Sequence, residues 1–215
     1  MNKYLTEFLG TFFLVLTIGL SVLTGPSSGL SMAPLAIGCS LMIMVYMGGH
    51  ISGAHYNPAV SLAVLLRGKL SSADLVPYLI AQVAGATAAA TLVNVILGKT
   101  AAIAPGEGVS TLSALLVEVL YTFALALVVL NVATSPKTEG NSYYGLAIGF
   151  TVVVAAFSAG SISGGAFNPA VGIGLTVAHA LFGGGSWSHL WLYLVGPLAG
   201  GALAAVVYKI QHEAA

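Results

Sequence analysis

The sequence predicts an all-α membrane protein in which six spanning helices and two re-entrant half-helices form an inverted internal repeat. Three observations predict it. Of 215 residues, 58% are hydrophobic and only 6% charged, with a mean hydropathy of +0.99, whereas a soluble domain carries roughly 25% charge. Six apolar segments each approach the ~20 residues that a helix needs to cross a bilayer. The chain also matches itself at a displacement of 111 residues, which lays residue 57 on residue 168. Six basic and six acidic side chains balance, so no basic field exists to hold nucleic acid. The single cysteine, Cys39, excludes a disulfide framework and a cysteine metal site. No cofactor is expected, and the lipid bilayer is the expected surrounding.

The spans are expected at 5–24, 32–50, 74–97, 111–133, 142–159 and 187–209. Residues 1–7 run into the first span with Lys3 and Glu7 but no small-residue cleavage site, so that span is expected to be retained. Segments 25–28, 98–110 and 134–141 are rich in Gly, Pro, Ser and charge and are expected as connecting loops. Segments 54–66 and 166–181 are apolar and helix-like but too short to cross. Ten helical residues at ~1.5 Å each reach about 15 Å, half of a hydrocarbon core about 30 Å thick. Two such segments entering from opposite faces meet in the middle. With both termini cytoplasmic, Lys3, Arg67, Lys69, Lys137 and Lys209 fall inside and only Lys99 outside, as the enrichment of cytoplasmic loops in Lys and Arg requires. A multi-pass protein of a plasma membrane, of the bacterial inner-membrane kind, is expected.

The self-match is specific. It pairs Glu7, Thr11 and Phe12 with Glu118, Thr122 and Phe123, Gly38 with Gly149, and Ser52-Gly53 with Ser163-Gly164. It also lays Asn57-Pro58-Ala59 on Asn168-Pro169-Ala170. Further on, Tyr78 falls on Tyr193 and Gly85 on Gly200, after an insertion of about four residues near 183–185. Shared apolar composition accounts for matched leucines, not for a matched glutamate and two matched Asn-Pro-Ala triplets. The halves are about 1–104 and 105–215. Three spans per half is odd, so the second half is expected upside down, with the functional site between the halves near the midplane.

Asparagine is a favoured N-cap and proline a favoured first helical residue, so each triplet starts a helix. Two helix N-termini then face each other, each with about half a positive charge, and repel cations including hydronium. With its oxygen occupied by the cap, each asparagine has its NH2 left to donate to a passing oxygen. A file of water oriented by two such donors has its proton-conducting chain interrupted.

At these residues the sequence resembles the aquaporin (major intrinsic protein) family: His50-Ile51-Ser52-Gly53-Ala54-His55-Tyr56-Asn57-Pro58-Ala59-Val60 and Ser163-Gly164-Gly165-Ala166-Phe167-Asn168-Pro169-Ala170 look like its two signature loops. The resemblance covers essentially the whole chain. It implies six tilted spans with two half-helices, a pore in each subunit, a homotetramer, and passive conduction of water or small neutral solutes. A carboxylate inside a span costs about 2.5 to 3.5 kcal/mol on insertion scales, and in the family's pattern Glu7 and Glu118 offset that cost by bracing the re-entrant loops. His55 is expected to brace its loop by bonding backbone.

The chain also departs from the pattern. Most members follow the second triplet with an arginine at the narrowest point of the pore, and here the residue is Val171; the only arginine is Arg67, beyond the first half-helix. Counting without gaps along the family's pattern, the selectivity constriction is Ile37, Ala156, Gly165 and Val171, or Phe157 in place of Ala156 if the fifth span shifts by one. The first set is uncharged and wide. It predicts passage of water and of larger neutral solutes such as glycerol, urea, hydrogen peroxide or neutral metalloid acids.

The rival class is an inverted-repeat secondary transporter of a small solute, which also uses broken helices at the midplane, although the internal acids here are committed to the loops. An enzyme is not expected: Asp74 is the only aspartate, and there is no His-Glu-x-x-His. His50 and His55 are poorly spaced for a metal, and His179, His189 and His212, near segment ends, are expected to be solvated. The spacings Ala81-x-x-x-Gly85, Gly145-x-x-x-Gly149 and Gly196-x-x-x-Gly200 are expected as close helix crossings inside the bundle.

Overall fold

A computed structural model of the chain describes residues 1–25 and 31–213. The connecting loop expected at 25–28 therefore lies, beyond Gly25, outside the described residues. Among those described, eight α-helices follow in order: α1 (Asn2–Thr24), α2 (Ala33–Ser52), α3 (Pro58–Leu66), α4 (Ser72–Leu97), α5 (Thr111–Ala133), α6 (Tyr144–Ser163), α7 (Pro169–Phe182) and α8 (Leu190–Glu213). Six of them are long and apolar enough to cross a membrane, and α3 and α7 are short. At ~1.5 Å per residue α3 reaches about 13 Å and α7 about 21 Å.

The helix ends differ from the expected bounds for local reasons. Both α2 and α6 run on to Ser52 and Ser163, because the glycines that follow take left-handed C-cap conformations, Gly53 with φ 85° and Gly164 with φ 93°. Gly53 and Gly164 donate their backbone N–H to the carbonyls of Gly49 and Gly160, closing the last turn. The last span begins at Leu190 rather than 187, since Trp187 to His189 form a turn, and continues past 209.

Within the first half α1 packs on α2 and α4, and within the second α5 packs on α6 and α8. The halves interlock chiefly where α2 crosses α6, α3 seats against α8 and α7 seats against α4, and α3 also meets α5 and α7. The α2–α6 crossing is a contact of glycine on glycine. A Cβ on Gly149 would stand 2.5 Å from the Gly38 carbonyl oxygen, and one on Gly38 would stand 2.6 Å from the Gly149 oxygen. Gly85 and Gly200 meet backbone in matched fashion, their Cβ positions 2.4 Å from the carbonyl oxygens of Phe8 and Val119. The small-residue spacings serve contacts inside the bundle. Outward positions such as Ile80, Val95, Leu120 and Val206 are exposed and apolar, as a lipid-facing surface requires.

Three of the basic residues, Lys3, Arg67 and Lys69, gather at the end where α4 begins, and Lys99 follows the other end of α4. Lys3 pairs with Asp74 at 2.7 Å, joining the start of α1 to the start of α4, and Tyr4 donates to the same carboxylate at 2.8 Å. Arg67 caps α3 with its guanidinium carbon 4.7 Å from the centre of the Tyr208 ring. Lys69 shares a cavity with Asp74 and with Pro136 and Thr138, the residues flanking Lys137.

Candidate functional site

The site is assembled from the two segments that link α2 to α3 and α6 to α7. Each turns back on itself through left-handed residues: Ala54 (φ 52°) and Tyr56 (φ 51°) in the first, Gly165 (φ 70°) and Phe167 (φ 48°) in the second. For a side chain larger than glycine such a conformation is costly. Hydrogen bonds to two buried acids hold it.

Glu7 accepts from the Ser52 hydroxyl at 2.6 Å and the His55 N–H at 2.9 Å on Oε1, and from the Tyr56 N–H at 2.7 Å and the Gln82 amide at 2.8 Å on Oε2. Glu118 accepts from the Ser163 hydroxyl at 2.7 Å, the Ala166 N–H at 3.0 Å and the Phe167 N–H at 2.7 Å. Both carboxylates are 0% exposed, so neither snorkels to an interface. Backbone N–H groups that no helix satisfies are thereby bonded inside the bundle. Tyr78 and Tyr193 complete the brace, their hydroxyls donating to the Ser52 and Ser163 carbonyls at 2.7 and 2.5 Å. The Tyr56 ring fills the space that Gly10 and Gly48 leave open, while Phe167 packs against Tyr121.

Beyond the turns, Asn57 and Asn168 cap α3 and α7. Their side-chain oxygens accept from the N–H groups of Ala59 at 2.8 Å and Ala170 at 2.9 Å. Pro58 and Pro169 occupy the first helical positions. The amides also reach across the halves: Asn57 Nδ2 donates to the Phe167 carbonyl and Asn168 Nδ2 to the Tyr56 carbonyl, both at 2.9 Å. The NH2 groups expected to be left for a passing oxygen are thus half committed. Each amide has two N–H groups, and one of them remains.

Both asparagines line a cavity of about 290 Å³ that also contains Ile37, Ala156, Gly165 and Val171. A single water needs only about 10–15 Å³ by this measure. Among the described residues no charged side chain lines it, and its polar side chains are Ser31, His55, Tyr56, Asn57 and Asn168. Ala156 faces this space, whereas Phe157 is 45% exposed and is not part of its wall. A second cavity of about 740 Å³ opens at the basic end, with His50, Lys69, Asp74 and Glu139 in its wall. The two cavities share His55, Val129 and Ile148, so they adjoin at that level.

Two histidines stand differently from their expected roles. The His55 ring does not bond loop backbone; its Nδ1 pairs with the Ser61 hydroxyl of α3 at 3.1 Å, because the turn aims the ring along α3. His179 is not left to solvent: its Nδ1 meets the Thr100 hydroxyl at 2.7 Å, and Gly183 and Gly185 wrap its ring and donate to its carbonyl. Among the described residues no three His, Cys, Asp or Glu side chains converge to hold a metal. Sequence reasoning missed Ser61, Gln82 and Gly160. The first two stand where the repeat is broken, opposite Gly172 and Pro197, and that break was the available signal.

The sequence matches the Major intrinsic protein (MIP) family over residues 1–208. It is 38% identical to a glycerol uptake facilitator protein-like 6 of Lactiplantibacillus plantarum over 98% of both chains. It is 36% identical to aquaporin NIP1-4 of Oryza sativa subsp. japonica, over 98% of this chain and 77% of that protein. In fold it is similar to the aquaglyceroporin of Plasmodium falciparum, with a TM-score of 0.85 over 97% of this chain and 95% of that one at 22% identity.

Proposed function

The chain belongs to the major intrinsic protein family, and from that premise we propose that it is a passive channel whose wide, uncharged constriction admits water together with larger neutral solutes. Proteins of this family are channels rather than enzymes, and they carry water and small neutral solutes. The observation that carries the finer reading is the wall of the outer cavity. Ile37, Ala156, Gly165 and Val171 stand there without a charge among them, and two of the four are glycine or alanine. A ring of this kind offers a hydroxylated or amide solute room and no cation. Glycerol, urea, hydrogen peroxide and neutral metalloid acids are the solute class it fits.

The barrier to protons rests on the facing N-termini of α3 and α7 and on the two asparagine amides. Partial positive charge at each helix start disfavours hydronium, and the remaining asparagine N–H groups orient passing oxygens. With no charged side chain among the described residues of the cavity that holds both asparagines, nothing described there couples flux to an ion gradient, which favours a channel over a transporter. The gathering of Lys3, Arg67 and Lys69 at one end supports a cytoplasmic position for both termini in a plasma membrane. The exposed apolar outer face is compatible with a homotetramer, each subunit carrying its own pore.

Stopped-flow light scattering on proteoliposomes tests the reading. The native chain is expected to pass water, glycerol and urea with non-saturating flux. Val171→Arg is expected to lower glycerol permeability more than water permeability, because a long cationic side chain must extend into the cavity that Val171 now lines. Passage of water with refusal of every larger solute by the native chain sinks the wide-constriction reading.

A further inference from the structure

Building on the channel reading above, we propose that Gln82 and Ser61 are positioning residues that hold His55 in the tautomer with its proton on Nε2. The pore thereby presents an N–H donor to solute where its two cavities adjoin, and selects solutes by the lone pairs of their oxygens. The argument is a relay of hydrogen-bond polarity that begins at Glu7.

Three donors whose direction is fixed or determined surround Glu7: the Ser52 hydroxyl, the His55 N–H and the Tyr56 N–H. A carboxylate so surrounded acts as an acceptor on both oxygens. The group of Gln82 that stands 2.8 Å from Oε2 must then be its NH2, and the Gln82 oxygen is left buried without a partner among the described residues. The second hydrogen of that NH2 points to the Ser61 oxygen at 2.9 Å. Ser61 is an acceptor there, and the partner in reach for its single proton is His55 Nδ1 at 3.1 Å. An Nδ1 that accepts leaves the proton of the neutral ring on Nε2.

No protein group among the described residues bonds Nε2, and Nε2 is not among the sealed unpartnered atoms. The ring lines both cavities, so this N–H is open to the lumen. With the remaining N–H groups of Asn57 and Asn168, it makes three side-chain N–H donors in the wall of the first cavity among the described residues. The second half has no counterpart, since Ala166, Gly172 and Pro197 occupy the positions matching His55, Ser61 and Gln82. The additional donor therefore lies on one side of the midplane only, and oxygen acceptors such as hydroxyl, carbonyl or neutral oxyacid groups are its chemical match.

Magic-angle-spinning NMR of the full chain, labelled with ¹⁵N-histidine and reconstituted in lipid vesicles, reads the tautomer directly; the His55 signals are identified by their loss in His55→Ala. The native protein is expected to show a protonated Nε2 and a bare Nδ1. In Glu7→Gln, Gln82 turns its oxygen toward the new amide, Ser61 donates to that oxygen, and the His55 proton shifts to Nδ1. In Ser61→Ala the preference is lost and both tautomers appear. A native ring protonated on Nδ1, or a Ser61→Ala spectrum unchanged from native, overturns the proposal. Glycerol flux through the same vesicles keeps the two readings apart: flux with an Nδ1-protonated ring overturns the positioning role alone, while the expected tautomer without any neutral-solute flux supports the positioning role and overturns the channel reading.

Discussion

Replacing Glu118 by glutamine removes one acceptor from the brace of the second re-entrant loop. The carboxylate accepts two bonds on Oε1, from the Ser163 hydroxyl and the Ala166 N–H, and one on Oε2, from the Phe167 N–H at 2.7 Å. An amide in its place keeps both Oε1 bonds only by turning its NH2 toward the Phe167 N–H, donor against donor. Phe167 has a left-handed backbone and is 3% exposed, so neither water nor a small rotation supplies a substitute. Leaving one buried donor unsatisfied costs about 1–3 kcal/mol. At the ~2–4 °C per kcal/mol of a 150–250-residue protein, a loss of about 2 kcal/mol lowers the thermal midpoint by about 4–8 °C. Glu7→Gln strands the Tyr56 N–H in the same way, since it shares Oε2 with Gln82, although Gln82 can turn its unpartnered oxygen to the new amide and Pro197, at the matching place in the second half, cannot. Thermal unfolding in detergent, with glycerol flux in vesicles, is the assay. An Glu118→Gln midpoint and flux equal to native would refute the idea that the acid holds the loop.

Gly160→Leu is expected to lower glycerol permeability several-fold with a smaller effect on water, since Gly160 lines the cavity that holds both asparagines and a Cβ there meets nothing within 4 Å. Its thermal midpoint is expected to hold or rise, because glycine inside a helix costs about 1 kcal/mol relative to a good helix former; a fall in both midpoint and water flux would contradict the placement. Gly149→Val is expected to abolish or strongly reduce recovery of folded protein from membranes, because its Cβ would overlap the Gly38 carbonyl and Met42, and overpacking against backbone costs about 1–3 kcal/mol or more. Normal expression and stability of that variant would mean that α2 and α6 do not cross on these glycines.

Features carried by short stretches of sequence were legible in advance. Apolar runs gave the six spans and Asn-Pro gave the starts of α3 and α7, whereas the spans expected to end at 50 and 159 run on to Ser52 and Ser163. Counting along the family's pattern placed Ala156 beside Gly165 and Val171, but it left Phe157 open, since one residue of register in a helix rotates a side chain by about 100°. Which of the two faces the cavity is decided by the α2–α6 crossing, a contact between residues 38 and 149. The histidine assignments failed for a related reason. Solvation near a segment end is a sensible default for His179, but Thr100, distant in sequence, lies against it once α4 and α7 have packed.

By itself the sequence determined that this chain lives in a bilayer, that it is built twice over, and that two helices begin at matched asparagines, because hydropathy, repetition and capping are properties of neighbours along the chain. Tertiary structure alone decided that each asparagine amide closes on the opposite loop, 110 and 112 residues away along the chain. It also decided that Glu7 gains a fourth donor from Gln82 and that His55 turns to Ser61. A hydrogen bond is fixed by distance and direction at about 2.9 Å, and no local pattern specifies which of several distant donors will arrive there when the two halves interlock.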